Sequence, residues 1–126
     1  MTESARVWVR LCALEDIPSG KAINVFINGQ RYVIARDGDL AAVLQGFCSH
    51  MLYPFKDAQV AACTITCDLH GSQFDIRDGS VLNWPMPMLP DTRERKRLKA
   101  FETRVEAGIL YVAWPAADPN KVRVRF

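Results

Sequence analysis

At 126 residues the chain is long enough for one ordinary domain and too short for two, so a single domain spanning 1–126 is expected. Hydrophobic residues at 49% and charged residues at 24% exclude a disordered chain and leave enough apolar surface for a core without disulfide staples. A net charge of +2, with no aromatics interleaved among the basic residues, argues against a nucleic-acid binder.

The opening Met1-Thr2-Glu3-Ser4-Ala5-Arg6 carries an acid and no apolar core, unlike a secretory signal. No apolar run approaches the ~18 residues needed to cross a bilayer, so the expectation is a cytoplasmic protein without a membrane partner. Val7, Val9 and Leu11 then alternate with Trp8 and Arg10, and Ile23, Val25 and Ile27 with Asn24 and Phe26. That period of two marks half-buried strands. Residues 14–20 between them read as a loop or a single helical turn. Asn28-Gly29 is a two-residue hairpin turn, since both residues tolerate the positive φ of a type I′ turn, and 31–35 is the returning strand. Asp37-Gly38 marks another turn, and 40–44 a further strand.

From Gly46 to about Pro90, loops alternate with very short strands at 64–66 and 73–76, with a turn at Asp78-Gly79. Pro85, Pro87 and Pro90 exclude a paired central strand, so 84–90 is a stiff loop. Residues 91–99 are charged and predict a helical turn or two. Strands return at 101–106 and 109–114 about a turn at Ala107-Gly108. Val122, Val124 and Phe126 alternate with Arg123 and Arg125 as a half-buried edge strand. Many short strands with turns at this spacing predict an all-β fold, a small antiparallel β-sandwich or barrel, into which a lobe at about 46–90 is inserted.

Charge is unevenly spread. Residues 91–99 carry five cations against Asp91 and Glu94, a net +3; residues 121–126 add +3, and the remainder sums to −4. The four cysteines do not suit a disulfide framework at this length and in this compartment. Both histidines lie close to cysteines, in Cys48-Ser49-His50 and Cys67-Asp68-Leu69-His70, with the 16 residues 51–66 between the two groups. Each group offers one thiolate and one imidazole at a loop tip, and two such loops from facing hairpins can close on one inorganic core. Two thiolates with two imidazoles suit zinc or a two-iron cluster. Structural zinc sites space their ligands as C-x₂₋₄-C and H-x₃₋₅-H, whereas each half here holds one of each type. The spacing therefore favours two irons, one taking both thiolates and the other both imidazoles, with zinc as the alternative.

C-x-H, sixteen residues and C-x-x-H, followed by Gly71-Ser72-Gln73-Phe74-Asp75, resembles the Rieske ferredoxin family. The resemblance runs from Trp8-Val9-Arg10-Leu11 through the Gly20 loop to Ile109-Leu110-Tyr111-Val112. It implies a small antiparallel β-sandwich with a cluster-binding lobe and one [2Fe–2S] cluster per chain. Cys48 and Cys67 would hold the inner iron, and His50 and His70 the outer iron near the surface. Histidine ligation leaves such a cluster less negative than four thiolates would, which raises its potential into a range of roughly −150 to +300 mV. High-potential members place a pair of disulfide-bonded cysteines where this chain has Tyr53 and Leu69. They also place a tyrosine, which donates a hydrogen bond to a ligand sulfur, where it has Phe74. The resemblance therefore implies a potential near the lower end of that range, with the Ser72 hydroxyl still able to donate to a sulfide.

Cys12 and Cys63 are expected as small buried hydrophobes in strands, Cys63 being the alternative ligand because it lies four residues before Cys67. Phe55 and Trp84, with Pro85 beside them, are expected to shield the cluster. Met51, Leu52, Pro85 and Met86 are expected to meet a redox partner, for which a modest patch suffices. The link before the strand at 101 is longer than in the family by about ten residues. Its basic run reads as a solvated helix face, with steering of an acidic partner as the alternative.

No glycine-rich phosphate loop follows a strand, and no histidines remain for a mononuclear iron site, so the chain is not expected to be an enzyme by itself. The resemblance implies an electron carrier, monomeric when free, between an NAD(P)H-dependent flavoprotein reductase and a terminal oxygenase. An aromatic ring-hydroxylating dioxygenase is the first expectation for that oxygenase. A di-iron hydrocarbon monooxygenase is the alternative, followed by a zinc-binding structural module and a nitrite-reductase small subunit.

Overall fold

The computed structural model describes residues 6–49, 53–56, 58–68, 71–84 and 95–126. Its strands in chain order are β1 (Arg6–Ala13), β2 (Lys21–Ile27), β3 (Gln30–Asp37), β4 (Leu40–Gln45), β5 (Phe47–Cys48), β6 (Tyr53–Pro54) and β7 (Gln59–Ala61). They continue as β8 (Thr64–Thr66), β9 (Gln73–Asp75), β10 (Val81–Asn83), β11 (Ala100–Phe101), β12 (Thr103–Glu106), β13 (Ile109–Pro115) and β14 (Val124–Arg125). Two 3₁₀ turns, Leu14–Asp16 and Pro119–Lys121, join them. Every pairing is antiparallel. Among the described residues no helix is long and apolar enough to cross a membrane.

One sheet has the order β1-β13-β12 and a larger one the order β10-β9-β8-β7-β2-β3-β4-β11, with β14 added to β2 and β5-β6 forming a separate ribbon. Asn28 and Gly29, at φ 52° and 82°, make the β2–β3 turn that their chemistry predicts, closing on Ile27 opposite Gln30. Ala107 and Gly108 do the same between β12 and β13.

Strands β3 and β4 explain why their sequences lack a clean alternation. Ile34, Ala41 and Val43 face a core shared with Val9, Leu11, Val25, Leu110, Val112 and Trp114, against the three-stranded sheet. Val33, Ala35, Ala42 and Leu44 point the other way, into a second core with Phe55, Ile65, Phe74, Ile76 and Leu98. Both faces of the two strands are buried, which calls for apolar residues at both parities. At one end of the first core Phe101 stacks on Trp114 with centroids 4.9 Å apart, and Tyr32 meets both rings edge-on.

Three expectations need correction. The strand expected over 101–106 is two strands. Ala100–Phe101 pairs with β4, and Thr103–Glu106 pairs with β13, so the chain changes sheet at Glu102. Cys63 is not in a strand; it sits at φ 58° beside Ala62 at φ 52°, the two central residues of the β7–β8 turn. The helical, solvated reading of 91–99 holds only in part where that segment is described: Arg95 is helical and Lys96 a turn, but 97–99 is non-helical, and Leu98 is buried at 1% exposure between the exposed Arg97 and Lys99.

Candidate metal centre

Two hairpin tips of matching construction carry the cysteines. Cys48 ends β5 opposite Tyr53 of β6, so the pair closes a four-residue loop at 49–52. Phe55 N–H donates to the Gly46 carbonyl at 3.1 Å and secures the base of the ribbon. Cys67 follows β8, and its N–H donates to the Ser72 carbonyl at 2.8 Å, closing a second four-residue loop at 68–71. Gly71 N–H returns to the Cys67 carbonyl at 3.1 Å. In each tip the cysteine opens the loop and the sequence supplies one histidine inside it, at position 50 or 70.

Both thiols are buried, Cys48 at 1% and Cys67 at 2% exposure, and both are free of disulfides. They belong to one packed cluster with Phe55, Phe74, Val81 and Leu98, against which Tyr53 and Trp84 pack. Phe74 and Trp84 meet edge-on with centroids 6.3 Å apart. Ser72 is fully buried and its Oγ has no hydrogen-bond partner among the described residues. A buried hydroxyl without a partner is rare and costly, which suits an acceptor such as a bridging sulfide in this space. Two buried cysteines outside any disulfide, with such a donor five residues after the second, fit the cluster that the spacing implies. His50, Met51, Leu52, His70, Pro85 and Met86 lie outside the described residues.

Cys63 packs at the edge of the same cluster, but its backbone is committed elsewhere. Its N–H donates to Asp37 Oδ2 at 2.8 Å, and its carbonyl accepts from Ile76 N–H at 3.0 Å. Cys12 lies half-buried at a bulge in β1, where burial first and Asp16 second push its thiol pKa up and so favour an inert thiol.

Below the second tip, the Asp75 carboxylate receives Nε and Nη2 of Arg77 at 2.9 and 2.7 Å and the Arg77 backbone N–H at 2.8 Å. Hydrogen bonds from the Arg77 side chain hold the Asp75 carboxyl below its usual range against the opposing effect of burial. Asp78 is also lowered, chiefly because its carboxylate accepts from the Ser80 backbone.

The end of the basic run forms a strap that joins Gln45 and Ser49 to the turn before β10, a feature missed at the level of sequence. Ser49 Oγ donates to the Lys96 carbonyl, and Lys96 Nζ lies 3.5 Å from the Ser49 carbonyl. Leu98 N–H donates to the Gly79 carbonyl at 2.7 Å, and Arg97 pairs with Asp78 at 3.6 Å. Gln45 and Lys99 exchange two bonds: Lys99 N–H to Gln45 Oε1 at 2.7 Å and Gln45 N–H to the Lys99 carbonyl at 2.9 Å. The lone apolar Leu98 in a run of cations was the available signal. Beside β5 runs an open groove of about 550 Å³, walled by Phe26, Arg31, Tyr32, Gln45, Phe47 and Lys99, with no carboxylate among the described residues that line it. The rim of the lobe next to Cys48 is therefore basic and aromatic.

Residues 7–102 match the family described as the Rieske [2Fe–2S] domain. The ferredoxin component of naphthalene 1,2-dioxygenase/salicylate 5-hydroxylase systems from Ralstonia sp is 26% identical over 100 residues, covering 79% of this chain and 88% of the relative. Among solved structures, the ferredoxin of carbazole 1,9a-dioxygenase from Nocardioides aromaticivorans IC177 superposes with a TM-score of 0.64 at 24% identity, over 85% of this chain and 97% of that one. A chain from a complex of reduced oxygenase and oxidized ferredoxin in carbazole 1,9a-dioxygenase gives 0.70 at 23% identity, over 90% of this chain and 100% of that one. The two structural likenesses speak to the fold. The match to the family profile spans most of the sequence and includes both cysteine–histidine groups, and on that ground the chain belongs to the Rieske [2Fe–2S] domain family, whose members carry a [2Fe–2S] cluster.

Proposed function

We propose that this chain, as one domain, is the ferredoxin of a multicomponent oxygenase. In this reading it takes single electrons from an NAD(P)H-dependent flavoprotein reductase and passes them to a terminal oxygenase of the aromatic ring-hydroxylating class. Cys48, His50, Cys67 and His70 are its ligands for one [2Fe–2S] cluster, which when bound supplies one-electron redox chemistry at a potential raised by its imidazole ligands. Cys48 and Cys67 supply thiolates from within the core, and His50 and His70 follow them by two and three residues in the sequence. Ser72 Oγ is the donor toward a sulfide. Phe55, Phe74 and Trp84 keep water from the thiolate side. Met51, Leu52, Pro85 and Met86 are the apolar residues assigned to partner contact.

One observation carries this reading: two buried cysteines outside any disulfide, each followed in the sequence by a histidine within three residues, together with a buried Ser72 hydroxyl that has no partner among the described residues. The naming of the relatives as ferredoxin components of aromatic oxygenase systems supports the class of partner. Anaerobically purified protein is expected to hold two irons and two acid-labile sulfides, to be red-brown, and to give a low average g value when reduced. Replacing His50 and Cys67 together is expected to abolish all of this. Retention of the iron and sulfide by that double variant, or a colourless zinc protein in their place, refutes the assignment. Turnover of an aromatic substrate by a reductase and dioxygenase pair, only when this chain is added, tests its place between them.

A further inference from the structure

The basic segment before β11 has no role in the ligand set, yet it is tied to the first hairpin tip. Ser49 stands between Cys48 and His50, and its hydroxyl is taken by the Lys96 carbonyl. The Lys96 ammonium is drawn back over the same residue, 3.5 Å from the Ser49 carbonyl. The segment cannot drift, because Leu98 is 1% exposed in the core that holds both cysteines and Gln45 and Lys99 clamp it by two bonds. Among the described residues no carboxylate pairs with Lys96. Its neighbour Arg97 is engaged by Asp78. A half-buried cation is thereby held against the peptide that links two proposed ligands.

We propose that Lys96 is a positioning residue for the Cys48–His50 tip and that its fixed charge favours the reduced cluster. The inference rests on the ligand assignment above. Reduction adds one negative charge to the cluster, so a cation fixed nearby stabilises the reduced form more than the oxidised one. Because Lys96 is only half-buried, added salt weakens the effect.

The test is a potentiometric titration of the loaded protein, after its iron and sulfide have been counted, at low ionic strength and again near 1 M salt. Lys96→Gln and Lys96→Arg both keep the main-chain bond to Ser49. Arg104→Gln serves as a charge control, since Arg104 stacks over Trp8 on the three-stranded sheet, on the opposite side of β3 and β4 from the lobe. Lys96→Gln is expected to lower the reduction equilibrium constant roughly threefold to tenfold, tenfold being about 59 mV for one electron. Lys96→Arg should stay within about twofold of the parent, Arg104→Gln should match it, and high salt should close most of the gap. The inference is overturned if Lys96→Gln titrates with the parent, if Lys96→Arg falls equally far, or if Arg104→Gln does. Protein that holds no iron or sulfide overturns the ligand assignment as well, whereas a full cluster with coincident potentials overturns only the role of Lys96.

Discussion

Cys67 and Ser72 face each other across the neck of the second hairpin tip. The Cys67 N–H donates to the Ser72 carbonyl at 2.8 Å, while the Ser72 Oγ is sealed in the core with no partner. A main-chain bond thus ties the residue that carries this hydroxyl to one of the two buried cysteines. Ser72→Ala removes the donor and leaves the bond. The apo protein is expected to lose no stability on thermal denaturation, because no hydrogen bond of the protein is broken. The loaded protein is expected to titrate lower by roughly 40 mV, the one-electron equivalent of about 1 kcal/mol for a lost hydrogen bond. An unchanged potential would place the hydroxyl away from the cluster.

Acid should expose the Asp75–Arg77 pair. A carboxyl whose folded pKa is depressed contributes stability above the unfolded value, about 4, and loses it as pH falls through the folded one. Asp75→Asn is therefore expected to cost about 1–2 kcal/mol at pH 7, toward the low end because the Arg77 side chain is 63% exposed. The gap between parent and variant should shrink below about pH 4. Denaturant unfolding of both proteins from pH 2 to pH 7 checks the shape of that curve.

Leu98 anchors the strap by burial, and Gly79 gives it room. Leu98→Ala is expected to destabilise the fold by about 2–4 kcal/mol through the cavity it leaves. Gly79 adopts φ +80°, and an added Cβ would collide with the Leu98 carbonyl. Gly79→Ala should thus cost more than about 1 kcal/mol from strain alone. Amide hydrogen exchange reads the effect locally: both variants should speed exchange at Gln45 and Leu98 more than in β1 and β13.

The β7–β8 turn holds Ala62 and Cys63 at φ 52° and 58°, a region that disfavours any residue with a Cβ. Ala62 is exposed, so Ala62→Gly should relieve strain without opening a cavity. A gain of about 0.5–1 kcal/mol is expected in denaturant unfolding. A loss would mean that the entropy of glycine in the unfolded chain outweighs the strain.

Legibility in the sequence followed the range of the interaction. Asn28-Gly29 and Ala107-Gly108 were readable because a turn is decided by the φ that its own residues tolerate. The alternation in β1 and β2 was readable because each has one buried face. The pairing of Phe47 and Cys48 with Tyr53 and Pro54 was not, since a two-residue ribbon carries no periodic pattern and Pro54 reads as a loop residue. Nor was the break at Glu102 readable. Its cause is that β4 and β13 lie in different sheets, with Thr103 donating to the Ala41 carbonyl at the corner between them.

The sequence by itself determined the family signature: two cysteines and two histidines at a spacing that suits a two-iron cluster, set among short antiparallel strands. Donor type and loop length are local properties, written in consecutive residues. Only the tertiary structure decided that β3 and β4 are buried on both faces, that the Ser72 hydroxyl is left without a partner, and that Lys96 lies over Ser49 although 47 residues separate them. Those outcomes depend on which surfaces exclude water together, and contacts between segments remote in the chain are settled by packing rather than by local preference.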